Sequence, residues 1–139
     1  MANYEGKGRS NYFKVKDIKK FKDFIEEFSD LSFVRQNECG LDGLVGFLVE
    51  CESGTLPVYR GDEDTREEEE IDFVSLLAEH LQEGQVAIIQ QIGSEKLRYL
   101  SGTSIAVNSK GEALSVDLND IYELVNSKWR IKDVETCEY

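Results

Sequence analysis

The sequence predicts an α+β fold: a two-layer sandwich, mainly antiparallel sheet with about three helices, ferredoxin-like or close to it. Three observations carry that expectation. Runs of β character come in clusters, segments of helical period lie singly between the clusters, and the breaks between neighbouring strand runs are short enough for hairpins. Helices segregated from groups of antiparallel strands mark the α+β class, whereas a parallel sheet would alternate strand and helix throughout. A length of 139 residues and a hydrophobic content of 40% suit a single compact domain over 1–139.

The elements follow in chain order. Residues 1–9 contain GKGRS and read as a flexible leader, too short and too early to cradle a phosphate. SNYFKVK then alternates, with Phe13 and Val15 on one side and Lys14 and Lys16 on the other, which predicts the first strand. Asp17 is placed to cap a helix reaching about Phe28, whose apolar stripe is Ile18, Phe21, Phe24, Ile25 and Phe28. LSFVRQNE and GLVGFLVEC read as paired strands around Cys39, Gly40, Leu41 and Asp42, where glycine is available for the turn.

Pro57 lies beside a possible edge strand from Leu56 to Tyr59, which runs into the exposed acidic segment 60–70. From Ile71, the residues Val74, Leu77, Ala78 and Leu81 repeat at helical spacing, and Gly84 is well placed to end that helix. QVAIIQQI, EKLRYL, TSIAVN and EALSVD predict a four-run meander broken at Gly93, at Ser101 and Gly102, and at Ser109 to Gly111. Asp117 and Asp120 have the spacing of a capping box ahead of Leu118, Ile121, Tyr122 and Val125, so a third short helix is expected to close the domain.

Charge narrows the function classes. The formal net charge is −12, and its distribution is uneven: residues 1–36 hold eight Lys/Arg against six Asp/Glu, 37–96 hold three against fifteen, and 97–139 hold five against seven. The middle segment carries the entire excess. Such a surface repels phosphate backbones and anionic headgroups, so neither direct nucleic-acid nor membrane binding is expected. No apolar run approaches the roughly 20 residues of a spanning helix, and three cysteines without metal-knuckle spacing fit reduced thiols in a cytoplasmic protein.

Residues with catalytic potential lack the patterns that would use them. His80, the sole histidine, reads as a helix residue near a C-terminus, where a cation is mildly favoured, and no nucleophile elbow accompanies it. Cys39, Cys51, Cys137 and His80 could supply a tetrahedral zinc set, but their spacing favours ordinary thiols. No cofactor motif is present, so no cofactor and no metal are expected, and an enzymatic role is the less favoured reading. Tyr12, Phe13, Phe21, Phe24, Phe28, Phe33 and Phe47 are read as core.

The strongest local signal is acidic: Asp62, Glu63, Asp64, Glu67, Glu68, Glu69 and Glu70, with Thr65 and Arg66 between them. Three readings compete. The structural one is a solvated loop entering a helix, its carboxylates near the positive end of the helix dipole. Calcium is poorly served, because the mid-loop glycine and spaced ligands of an EF-hand are missing. The functional one is a partner-binding surface, in which spaced carboxylates imitate a phosphate backbone and enter the basic groove of another protein.

RSNYFKVKD, EIDFVSLLAEHL, EKLRYLSGTSIAVNSKGE and LNDIYEL together resemble a family of small acidic proteins carried on bacterial plasmids and phages. The resemblance spans nearly the whole chain but lends no activity, cofactor or catalytic residue. It implies a mobile-element context, in which cargo of this size often inhibits host proteins, and so it raises the mimicry reading. The resulting expectation is a non-enzymatic acidic interaction protein, a nucleic-acid mimic that inhibits a basic-surfaced host protein such as a defence nuclease. The alternative is a small-molecule binder or enzyme with a pocket between sheet and helices, lined by polar groups such as Arg98, Tyr99, Asn108 and Tyr122.

Overall fold

A computed structural model describes residues 4–36, 43–62, 67–95 and 99–137. The chain opens with β1, Tyr4–Ser10, and β2, Phe13–Lys14, which are two halves of one bent strand. β1 pairs antiparallel with β7, Val86–Glu95, along its whole length from Tyr4↔Glu95 to Ser10↔Ile89. At Asn11 the strand leaves β7, and the Asn11 side chain takes over the broken ladder: Oδ1 accepts from Ile88 N at 2.7 Å and Nδ2 donates to Val86 O at 3.2 Å. β2 then pairs with β4, Leu44–Val49, which also meets the end of β1 at Gly8↔Val49 and Arg9↔Leu48.

Within the flexible leader expected over 1–9, residues 4–9 are corrected to a central strand. Its sequence looked unstructured because every second residue is small: Gly6, Gly8 and Ser10 share the face that carries the core. That smallness admits the chain just after β4. Gly6 N donates to Glu52 O at 2.7 Å, and a Cβ on Gly6 would run into the Ser53 carbonyl. Backbone lies directly on backbone there, which only glycine allows.

α1, Ile18–Glu26, forms as its pattern predicts. Asp17 caps it by accepting from Lys20 N at 3.1 Å, and Phe21, Phe24 and Ile25 are buried. β3, Leu31–Gln36, pairs with β4 in full antiparallel register, Leu31↔Val49 to Gln36↔Leu44, as the hairpin reading anticipated. α2, Phe73–His80, starts two residues later than expected, at the Asp72 cap. Ser75 Oγ donates to the Asp72 carboxylate at 2.7 Å. The helix ends before Leu81, so Gly84, with φ of 84°, serves the turn into β7 instead of the helix end.

The predicted four-run meander is three strands: β7, then β8, Tyr99–Asn108, then β9, Ala113–Asp117. Gly93 pairs with Ser101 and Ile92 with Gly102 inside a continuous ladder. Because β7 is bonded to β1 on one side and β8 on the other, its small residues are carried by their neighbours and interrupt nothing. Only the third break survives, at Ser109 to Gly111, where Asn108 Oδ1 accepts from Lys110 N and Glu112 N and Gly111 has φ of 85°.

The sheet reads β3-β4-(β1/β2)-β7-β8-β9, all neighbours antiparallel. Taking β1, α1, β3, β4, α2 and β7 as one set, the order is second, third, first, fourth strand, the ferredoxin-like βαββαβ arrangement. α1 and α2 lie on one face of it. Between them and the sheet sit Phe13, Phe21, Phe24, Ile25, Phe47 and Phe73 with Val45, Leu77, Leu81, Ala87, Ile89 and Val107. Phe24 stacks on Phe73 at 5.4 Å, and Phe13 meets Phe21 edge to face at 5.5 Å.

Two additions stand outside this set. The ribbon of β5, Tyr59–Asp62, and β6, Glu67–Glu70, is inserted between β4 and α2. At the other end β8, β9 and α3, Asp120–Trp129, are appended, and α3 buries none of its residues.

Candidate functional site

The acidic segment is built as a two-stranded sheet of its own, with register Tyr59↔Glu70, Arg60↔Glu69, Gly61↔Glu68 and Asp62↔Glu67. Ile71 N donates to Val58 O at 2.8 Å, continuing the pairing toward the body of the protein. Glu63 and Asp64 lie outside the described residues; Asp62 and Glu67 to Glu70 are strand residues, and Glu70 is exposed. Tyr59 and Val58 at the base of the ribbon are 55% and 56% exposed.

This geometry corrects the expectation of a loop entering a helix. α2 begins at Phe73 and has no acidic residue in its first turn, so positions 67–70 lie ahead of the region where the helix dipole acts. The dipole gives this run no stabilising reason to be acidic. The register sets position 62 opposite 67. Arg60 opposite Glu69 is the one oppositely charged pair in the ribbon's register. Since strand positions alternate between faces, the run of four divides into 67 and 69 on one face and 68 and 70 on the other. Carboxylate positions thus occupy both sides of a narrow ribbon.

A second feature lies on the sheet face away from the helices. Where the start of β1 and the end of β4 part, a groove of about 930 Å³ opens, bordered by Lys7, Arg9, Leu48, Glu50, Gln90 and Ile92. Lys7 pairs in register with Ile92, and Arg9 with Gln90 and Leu48, so their side chains share this face. No described carboxylate forms an ion pair with either cation; Arg9 instead donates to Ser10 O and lies 5.7 Å from the Tyr12 ring centre. The pocket expected between sheet and helices has its larger counterpart here, on the opposite face. Reading 1–9 as a leader hid it. The signal was available in the alternation of Glu5, Lys7 and Arg9 with Gly6, Gly8 and Ser10.

The remaining candidates separate. Cys39 lies outside the described residues; the Cys51 thiol sits 3.3 Å from Ser53 Oγ and donates to Thr55 O, while Cys137 is exposed. Among the described residues no three His, Cys, Asp or Glu side chains gather as a metal set. His80 stacks on Phe24 at 4.6 Å between ring centres, and burial lowers its pKa below the ordinary 6.5 despite the nearby Glu79. Its ring is part of the aromatic packing at the helix end. Arg98 lies outside the described residues, Asn108 holds the β8 to β9 turn, and the Tyr122 hydroxyl accepts from Cys137 N at 2.9 Å.

No helix among the described residues is long and apolar enough to cross a membrane. Comparison with protein-family models, with curated proteins and with solved structures finds no match.

Proposed function

We propose that the chain is an acidic interaction protein that uses the β5–β6 ribbon to occupy a basic groove on another protein, in the manner of a phosphate backbone. The observation that carries this reading is that the acidic run is an insertion. The ferredoxin-like set is complete without it, and four consecutive glutamates make up one of the ribbon's two strands. A row of Lys or Arg on a partner is the natural complement of that run of charge. Complementary potentials of this kind speed encounter and make affinity fall steeply with salt. The mobile-element resemblance supports the same direction, with a nucleic-acid-binding host protein such as a defence nuclease as the partner class.

The test uses immobilised chain and a bacterial host lysate, followed by titration of the captured partner. Binding is expected to weaken at least tenfold between about 50 and 300 mM salt, across which the Debye length shortens from about 14 to about 6 Å. Replacing Glu67, Glu68, Glu69 and Glu70 together by Gln should abolish it, and duplex DNA should compete for the partner. A partner held equally by the glutamine variant, or held without regard to salt, refutes the reading.

A further inference from the structure

The outer groove holds charged side chains of both signs that the fold keeps apart. Glu5, Lys7 and Arg9 alternate with Gly6 and Gly8 along β1, so all three stand on the outer face, and all are exposed. Glu50 and Glu52 border the groove from the chain that follows β4. The β1–β4 ladder stops at Gly8↔Val49; a continued register would set Lys7 opposite Glu50 and Glu5 opposite Glu52. It stops because the chain bows away and returns. Glu50 N donates to Asp30 O at 2.7 Å on the β3 side, and Glu52 O then accepts from Gly6 N at 2.7 Å. Groups that would be cross-strand neighbours in an unbroken ladder instead border an opening of about 930 Å³.

None of these five side chains forms an ion pair with a described residue. Arg9 uses one of its guanidinium N–H groups on Ser10 O, and the Lys7 ammonium bonds to no described acceptor. The charges are also sorted by position. Arg9 lies at one end, in register with Gln90 and Leu48; Lys7 and Glu50 occupy the middle; Glu5 and Glu52 stand at the other end. One end of the groove is thus cationic, the middle balanced and the far end anionic. Leu48 and Ile92 supply apolar wall from the Arg9 end to the middle, and the volume falls within the roughly 300–1,000 Å³ of small-ligand sites.

We propose that this groove binds a short peptide with free termini, three or four residues long, its carboxylate on Arg9 and its ammonium at Glu5 and Glu52. Charge selects an amphoteric ligand. A phosphate compound is opposed by Glu5, Glu50 and Glu52, and a polyamine by Lys7 and Arg9, whereas a ligand with one charge at each end meets its complement at both. Length selects a peptide. Glu5 to Arg9 is four strand steps, about 13 Å. A free amino acid carries both charges on one carbon and cannot reach both ends. An extended chain of three or four residues spans at most about 11–14 Å, a gap that the Glu and Arg side chains close. The middle of the groove, where Lys7 and Glu50 balance and Ile92 is 61% exposed, suits uncharged apolar residues. This site lies apart from the β5–β6 ribbon, and neither assignment depends on the other.

The experiment is a nuclear magnetic resonance titration of the full chain with the tetrapeptide Ala-Leu-Leu-Ala in three forms: free at both ends, N-acetylated and C-amidated. The free form should bind and shift the amide signals of residues 5–9, and each cap should weaken it at least fivefold, since each removes a charge-assisted contact. Arg9→Gln should erase the difference between acid and amide. Glu5→Gln with Glu52→Gln should erase the difference between free and acetylated amine. All three positions are exposed, and circular dichroism confirms that the variants stay folded. Glutamine at positions 67–70 should leave the titration unchanged, which separates this site from the ribbon. No binding of the free tetrapeptide at millimolar concentration overturns the proposal. So does an acetylated form that binds as well as the free one, which marks an anion site, or an amidated form that does so, which marks a cation site. Variants that keep both cap effects, or loss of binding with glutamine at 67–70, overturn it too.

Discussion

Replacing Gly6 by Ala tests the contact on which the N-terminal half of the sheet depends. The backbone of residues 52–54 lies against β1 at this point, with Gly6 N bonded to Glu52 O, and a Cβ would overlap the Ser53 carbonyl and come within 3.0 Å of Gly54 N. The incoming atom meets backbone, which cannot swing aside as a side-chain tip would. Forcing such contacts costs about 1–3 kcal/mol, and withdrawing the segment loses a hydrogen bond worth about 1 kcal/mol. Against this, alanine restricts the unfolded chain and favours the native state by about 0.5–1 kcal/mol. The net loss is then about 1–3.5 kcal/mol, which for a domain of this size lowers Tm by roughly 3–10 °C. Thermal and urea unfolding followed by circular dichroism measure it. An alanine variant as stable as wild type, or more so, would refute the close approach and with it the central position of β1.

Ser10 is 2% exposed, and its hydroxyl accepts from Phe47 N at 2.9 Å while donating to Asn11 O at 2.8 Å, so Ser10→Ala strands a buried N–H and should destabilise by about 1–3 kcal/mol in urea unfolding, with Ser10→Thr recovering less than half. His80 has a folded-state pKa below its unfolded 6.5, so the unfolded state binds more protons between the two values. Stability is therefore complete above about pH 6.5 and falls as pH is lowered through that window; His80→Phe, which keeps the stack on Phe24, should flatten this part of the stability profile.

Much of the architecture was legible before any coordinates, because it is written in short-range pattern. The stripe Phe21, Phe24 and Ile25 has the period of a helix with one buried face, and Asp17 sits where a cap belongs, so α1 followed from local rules. The β3–β4 hairpin and the Asp117 and Asp120 box were readable for the same reason. Glycine was the element that misled. In β1, Gly6 and Gly8 signalled disorder to a local reading, and in the meander Gly93 and Gly102 signalled turns. The meaning of these residues depends on which backbone lies opposite, and that is known only when strands distant in sequence are paired.

The candidate sites divide along the same line. Composition alone located the acidic excess in the middle of the chain, since net charge is additive and needs no geometry. That Glu67–Glu70 form a strand facing Asp62, and not the first turn of α2, was decided by pairing and by where Asp72 caps the helix. The outer groove and the exposed apolar side chains on the outer sheet face belong wholly to tertiary structure. A period-two strand states that one face is apolar, but whether the other face is covered depends on where α3 goes. That direction is set by the Asp117–Asp120 box and by the seat of Leu118 on Gly102, contacts whose combined geometry no sequence window contains.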